Sequence, residues 1–348
     1  MQTVLTRHEL SAIILAMDVS AIIVTYKRDD LLRDCLASLS AVCKEGEVET
    51  VVVDNAPLSG AARSIAQEYG AIYVASPCNS GFAGGNNIAL RHCTRKYILL
   101  LNNDTIVHSR ESIAALEQFL STHPRCGAAQ GTMHLPAAGD TLGGCGSFLA
   151  PLGILVTRKI FVPPAQDDPD PVKVFHGIGA FLMVRREVLA HTGGLFRTHF
   201  WAYYEEVDFC HRLWLSGYEV WYVPTPPIDH LMGATSNSFN RSAIMGRYLR
   251  NQFFSLRANL SFASRLRILP FYVLIIAGHA ALHLLRGDVK MAAADCRVLF
   301  FSRRDRIRLK AARRQIARIR KVPDSAFLPQ ISRMPSLAYF FRSLAANS

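Results

Sequence analysis

The sequence predicts an α/β fold: a mostly parallel sheet flanked by helices, followed by a C-terminal helical extension. Three observations predict it. Short apolar strand runs alternate with segments of helical period through the first hundred residues. Glycine and polar clusters fall at the ends of those runs, where open parallel sheets form their crevices. The third is an uneven distribution of charge. The 348 residues carry a formal net charge of +12, yet residues 241–348 hold 21 Lys and Arg against 4 Asp and Glu, while residues 1–240 hold 18 against 23. A mildly acidic body is joined to a strongly basic tail.

Val19–Thr25 is a β-branched run and reads as a buried strand; Asp30–Val42 carries Leu31, Leu32, Cys35, Leu36 and Leu39 at helical spacing. Glu49–Val53 is a second strand, ending in Asp54-Asn55. Ser59–Gly70 reads as a helix closed by glycine, Ala71–Ala75 as a third strand, Asn79–Arg91 as a glycine-rich turn entering a helix, and Tyr97–Leu101 as a fourth strand. Strands that are apolar throughout are buried on both faces, which indicates a parallel sheet between helical layers. Gly131–Asp170, rich in Gly and Pro, reads as an irregular excursion with a mobile loop. Regular pattern resumes at Val174–Val184, continues through Tyr203–Gly217 and ends near Tyr222-Val223-Pro224. After Ser236 come arginine-rich helices around one long apolar stretch, Leu266–Leu285, which Arg267, His279 and His283 make a poor membrane-spanning helix.

Half the residues are apolar and 19% charged, enough for a large core. The apolar piece Ser11–Met17 is flanked by Glu9 and Asp18 and lacks a basic n-region, so no signal peptide is expected. The eight cysteines include no C-x-x-C pair, so free, mostly buried thiols in a reducing cytosol are expected rather than a zinc site.

Three polar clusters lie at strand ends: Thr25-Tyr26, Asp54-Asn55 and Asn102-Asn103-Asp104. Asp54 is placed to accept hydrogen bonds from a ribose or nucleobase, though an Asp-Asn pair also simply forms turns. Asn102 and Asp104, two apart on an extended segment, point the same way, as ligands of a metal held by diphosphate oxygens would. The competing reading is an Asx-turn capping a helix from about Ser109. The run from Asn79 to Asn87 allows close backbone approach at a helix N-terminus, where amides favour anions, or is merely a tight turn. In Tyr203–Arg212, helical spacing pairs Asp208 with Arg212 and leaves Glu206 without a local partner, as a general base requires. Crowding of its three acids is expected to raise at least one pKa. His230 is a metal-ligand candidate if the triplet binds metal.

These clusters, in this order, resemble the family-2 glycosyltransferases of GT-A fold, especially the rhamnosyltransferase-like group. The matching pieces are Ile22–Tyr26, Val51–Asn55, Asn79–Asn87, Leu99–Thr105, Gly179–Arg186, Gly193–Phe196, Glu205–Arg212, and His230 with Gly233 and Ser236. The resemblance implies an inverting transfer of a sugar, with rhamnose a candidate, from a nucleotide diphosphate donor to a hydroxyl of a glycan or polyprenyl-linked precursor. It implies a catalytic domain over residues 19–236 and a basic extension over 237–348. Donor-binding roles fall on Thr25, Tyr26, Asp54, Asn79, Gly81, Gly84, Gly85, Asn86 and Asn103. A divalent cation, Mn2+ or Mg2+, falls to Asn102, Asp104 and His230. Glu206 becomes the base, with Glu205 in reserve. Two positions depart from the family's pattern: Asn102 replaces an acid, and Glu206 stands where many relatives have Asp.

Arg303–Lys321 packs ten basic residues with one acid, Asp305. No stacking aromatics accompany it, so nucleic acid is not the expected partner. An anionic membrane surface is, with the apolar neighbour as second anchor. The chain is therefore expected in the cytoplasm, peripheral on the inner face of the cell membrane. A helical hairpin packed on the catalytic domain is the competing arrangement. A nucleotidyltransferase and a non-catalytic carbohydrate- or lipid-binding scaffold are the competing functions.

Overall fold

A computed structural model describes residues 17–58, 60–231 and 241–335. Nearly all of Ser11–Met17, together with Gly233, Ser236 and the 236/237 boundary, lies outside the described residues.

The body is an eight-stranded sheet. Its parallel core is β1 (Val19–Thr25), β2 (Glu49–Asp54), β3 (Ile72–Ala75) and β4 (Tyr97–Leu101), with β1 paired to both β2 and β4. Helices α1 (Asp29–Val42), α2 (Ala61–Glu68) and α3 (Gly81–Ala89) connect these strands. β4 is fully buried and lies near the middle of the sheet, as its apolar run predicts. β5 (Thr105–Val107) follows it, then α4 (Glu111–Thr122) and β6 (Cys126–Gln130).

The sequence reading fails between β6 and the next sheet strand. Instead of a mobile excursion the chain forms β7 (Met133–Leu135), β8 (Thr141–Leu142) and a hairpin of β9 (Ser147–Leu149) with β10 (Leu155–Thr157). The proline-rich stretch is tied down. Asp167 accepts from the Tyr222 hydroxyl at 2.6 Å, and Asp168 pairs with Arg158 at 3.0 Å and Lys159 at 2.7 Å. Between β6 and β12 (Phe181–Arg185) the chain forms short strands and two 3-10 turns but no α-helix, and β12 runs antiparallel to both β6 and β4. β11 (Val172–Lys173), α5 (Val188–Thr192), α6 (Glu205–Leu215), β13 (Glu219–Tyr222) and β14 (Ile228–His230) complete the body. The sheet order is β11-β13-β6-β12-β4-β1-β2-β3, and β5-β14-β7-β8 form a smaller sheet.

The tail comprises α7 (Arg241–Asn259), α8 (Phe262–Leu285), α9 (Val289–Val298), α10 (Arg303–Ile319) and α11 (Asp324–Ile331). It packs on the body. Leu309 and Ala312 of α10 meet Phe254 and Ala258 of α7 and Phe200 of the body in one apolar cluster, and Trp214 of α6 stacks on Phe327 of α11. α8 meets the length and composition of a spanning helix, with His279 and His283 still inside the run. It is 24 residues long, with a mean hydropathy of 2.0 over its most apolar stretch, long and apolar enough to cross a membrane. Arg267 falls near its N-terminal end and so does not interrupt the run behind it. One face, Ile268, Tyr272, Ile276 and Ala280, is buried, while Phe262, Leu266, Phe271, Leu274 and Leu285 are exposed.

Candidate active site

A cavity of about 350 Å³ opens at the carboxyl ends of β1 and β4, where the strand order reverses. Ten of the candidate residues line it: Thr25, Tyr26, Asn79, Gly81, Asn102, Asn103, Asp104, Glu205, Glu206 and His230. Asp54, Gly84, Gly85 and Asn86 do not.

β5 and β14 set the acidic corner. They pair antiparallel with His230 opposite Thr105, which puts the imidazole beside Asp104. His230 Nε2 lies 3.4 Å from Asp104 Oδ1 and 3.4 Å from the Asn102 amide. The Leu231 N–H closes the corner by donating to the Asp104 carbonyl at 2.9 Å. Asp104 Oδ1 is buried and, among the described residues, accepts no hydrogen bond. A carboxylate oxygen facing an imidazole nitrogen fits two donors of a divalent cation, and Asn102, which presents Nδ2 to His230, supplies a third only with its amide turned to bring Oδ1 inward. Asn103-Asp104 is a turn rather than the extended segment expected, with the Thr105 hydroxyl donating to the Asn102 carbonyl at 2.7 Å, but it caps no helix: a strand follows, and Ser109 Oγ accepts from the Glu111 N–H. Asn103 lies beneath, its amide donating to Thr25 Oγ1 at 3.2 Å.

The glycine-rich turn is built for packing. Gly81 has φ +69, and a Cβ there would stand 2.2 Å from the Trp201 carbonyl. At Gly84 a Cβ would meet Ser80 Cβ at 2.6 Å, and at Gly85 it would meet Val24 Cγ1 at 2.6 Å. The last two glycines thus let α3 seat against its own turn and β1, and Asn86 turns its amide to the Phe82 carbonyl at 2.9 Å. Asp54 is 3% exposed; it accepts from the Ala56 N–H at 2.8 Å and the Tyr73 hydroxyl at 3.1 Å. Its neighbour Asn55 lines the cavity instead, accepting from Ser80 and donating to the Gly81 carbonyl.

Every residue of α6 is buried except Glu206. Asp208 explains the seating of this helix: it is wholly buried, 3.0 Å from Arg212 Nε and 3.0 Å from Arg197 Nε, and accepts from Ser255 and Asn259 of α7. Burial pushes its pKa up, but the two guanidiniums outweigh that and hold the carboxyl well below the usual range. Arg212 in turn donates to the carbonyls of Thr192, Gly194 and Leu195. The Asp208–Arg212 pair is therefore structural, as its spacing predicts. The raised acid is Glu205: burial pushes its carboxyl well above the usual range, and the neighbouring Glu206 adds to it. Burial, more than crowding, is the cause. Among the described residues Glu206 Oε2 has no hydrogen-bond partner, and the one cation former within 4 Å is His176, whose Nε2 is 3.9 Å from Oε1.

Sequence reasoning missed His176, Asn55, Trp201 and Asn251. Asn55 enters the sequence reading only as Asp54's neighbour. Trp201, Tyr203 and Tyr204 have φ of 64, 70 and 75, in the left-handed region that disfavours bulky side chains. Asn251 of α7 fastens this segment. Its Nδ2 donates to the carbonyls of Phe200 and Ala202 at 3.1 Å each and of Tyr203 at 2.7 Å. Arg247 lies over the Trp201 ring, 4.5 Å from its centroid.

The family model described as Glycosyl transferase family 2 matches residues 20–193, half of the 348 residues. The low-salt glycan biosynthesis hexosyltransferase Agl10 of Haloferax volcanii is 28% identical over 204 residues, 56% of this chain; the chain spans 61% of that protein's length. Among solved structures, GalNAc-T7 with UDP, GalNAc and Mn2+ superposes with a TM-score of 0.54 at 14% identity, over 70% of this chain and 48% of that one. The mannosyltransferase PcManGT from Pyrobaculum calidifontis, in complex with GDP-Man and Mn2+, gives 0.51 at 17% identity, over 95% and 86%. At these identities the likeness shows the fold.

Proposed function

The chain belongs to glycosyl transferase family 2, and we propose that it transfers a sugar from a nucleotide diphosphate donor to a hydroxyl group, with inversion at the anomeric carbon. The observation that carries this reading is one cavity shared by the orphaned Asp104 oxygen, His230 and the single accessible residue of α6, Glu206.

Glu206 accepts the proton of the acceptor hydroxyl as that oxygen bonds to the anomeric carbon, and the sugar–phosphate bond breaks on the opposite side. Burial pushes the Glu205 carboxyl well above the usual carboxylate range, toward its protonated form, which makes it the poorer base of the two and favours Glu206. Asp104, His230 and Asn102 would hold a divalent cation, Mn2+ or Mg2+, which when bound would offset the negative charge of the departing diphosphate. Thr25 and Asn103 brace the floor on which the donor lies, and Tyr26, Asn55, Asn79 and Gly81 wall it. The related Agl10 is named a hexosyltransferase of glycan biosynthesis, and PcManGT is seen with GDP-Man. A hexose or a deoxyhexose such as rhamnose fits the same reading, with a glycan or polyprenyl-linked precursor as acceptor.

Residues 19–236 form the catalytic domain and 237–348 the extension, which works peripherally at the cytoplasmic membrane face. The exposed apolar face of α8 and the cations of α10 support that placement. Family membership removes support for a nucleotidyltransferase, and an intact acidic corner argues against a decayed binding scaffold. Thermal stabilisation of the full chain by a panel of nucleotide sugars, with and without Mn2+, tests the reading: at least one donor stabilises, and more strongly with Mn2+. No stabilisation by any donor under either condition overturns it.

A further inference from the structure

Arg306, Lys310, Arg313 and Arg314 stand at i, i+4, i+7 and i+8 on α10, one face of the helix. With Arg257 of α7 they line a second cavity, of about 550 Å³, whose other lining residues are Leu309 and Ala317. Among the described residues none of these five cations pairs with a carboxylate. The tail's acids are engaged elsewhere: Asp305 with Arg250 and Arg308, Asp324 with Arg320, Asp295 with His279, and Asp288 at the N-terminus of α9.

Arg257 and Arg313 are also held in place. Arg313 Nε donates to the Arg257 carbonyl at 3.1 Å, and the Arg257 guanidinium lies 4.9 Å from the Phe301 ring and 5.4 Å from the Phe253 ring. From α8, Arg265 Nη1 reaches the same carbonyl at 3.5 Å, while its Nε is buried with no partner. Three guanidiniums therefore converge at the last turn of α7. The negative end of a helix attracts cations, but one carbonyl does not balance three of them. Burial lowers the pKa of Arg257 and Arg313, and like-charge repulsion with Arg265 lowers both further.

We propose that this groove binds a phosphate or diphosphate group carried on a lipid headgroup. Fixed, unneutralised guanidiniums match the several oxygens of such a group, which accept from more than one of them at once. The lipid source is favoured because Phe262 and Leu266, exposed on the first turns of α8 on either side of Arg265, offer apolar contact that a free phosphate does not use. The inference deepens the membrane-surface reading and rests on it for the source of the phosphate.

The test uses the full chain, with phosphatidylcholine vesicles with and without phosphatidylglycerol, and inorganic pyrophosphate as competitor. Lys310→Gln/Arg314→Gln changes two groove cations that make no hydrogen bond or ion pair among the described residues. Arg303→Gln/Arg304→Gln removes the same charge from α10 outside the groove. The groove pair is expected to weaken binding to phosphatidylglycerol vesicles by about thirtyfold, the control pair distinctly less, and pyrophosphate to compete. Equal losses in the two pairs overturn the groove while leaving the membrane reading standing. Pyrophosphate binding without vesicle binding overturns the lipid source and the membrane reading together. Competition by a single-stranded oligonucleotide but not by pyrophosphate overturns the proposal in favour of nucleic acid.

Discussion

Asn251→Ala is the substitution whose consequence is furthest from what local sequence suggests. The side chain is 6% exposed on α7, and its two N–H groups are shared among the carbonyls of Phe200, Ala202 and Tyr203. Those carbonyls belong to the segment that holds Trp201, Tyr203 and Tyr204 in the left-handed region. Such a conformation costs roughly 1–2 kcal/mol for a non-glycine residue, so three of them store about 3–6 kcal/mol. The amide contributes about 1–3 kcal/mol through two hydrogen bonds, and its loss leaves buried carbonyls unpaired. We therefore expect Asn251→Ala to release the segment by about 2 kcal/mol and to lower kcat on the order of thirtyfold, because Glu205 and Glu206 follow it directly. Nucleotide binding with Mn2+ should weaken less than kcat falls, since Asp104 and His230 stand on other elements and only the Asn79 side of the donor wall leans on Trp201 of the released segment. Asn251→Asp keeps the shape without the N–H donors and should fail equally. The assay is transfer rate against donor concentration, with the melting temperature of each variant alongside. A lowered melting temperature with unchanged kcat would show that Asn251 is only a stabilising residue and refute the reasoning.

Three further outcomes are expected. Glu206→Gln should lower transfer by ~10²–10⁴-fold while leaving donor binding nearly intact; a loss confined to Glu205→Gln would move the base one residue back. Asp104→Ala should abolish stimulation by divalent metal, and Asn102→Asp should keep or strengthen it; activity unchanged in EDTA would refute a metal at this corner. Glu205 has a folded-state pKa above its unfolded value, so its contribution to stability is full below the ordinary carboxylate range and is lost as pH rises through the folded pKa. Glu205→Gln should accordingly raise the melting temperature at mildly alkaline pH, with the gain shrinking toward acid, and a pH-independent difference would contradict this.

The parts of this molecule that were legible in sequence are those with a local signal. Val19–Thr25 is bounded as its β-branched run suggests, and the central place of β4 follows from five consecutive apolar residues. Helical spacing alone separates Glu206 from the structural Asp208–Arg212 pair. What was not legible depends on distant contacts. Strands of two or three residues, such as β7 and β8, are too short to carry a period. Gly84 and Gly85 look like a ligand cradle but are explained by Ser80 and Val24 packed against them. Nothing local to Tyr203-Tyr204 predicts left-handed backbone in two tyrosines, because the Asn251 amide that holds it comes from 47 residues beyond Tyr204. The tail's role in the site was hidden for the same reason.

The central claim is that the cavity at the ends of β1 and β4 performs glycosyl transfer with Glu206 as its base. Release of nucleoside diphosphate, followed for the full chain with a panel of nucleotide sugars, Mn2+ and a polyprenyl-linked glycan acceptor, tests it most directly. The account predicts metal-stimulated, acceptor-dependent release from at least one donor, a product of inverted anomeric configuration, and a rate that collapses in Glu206→Gln. Release from no donor, a product of retained configuration, or equal rates for wild type and Glu206→Gln would contradict it.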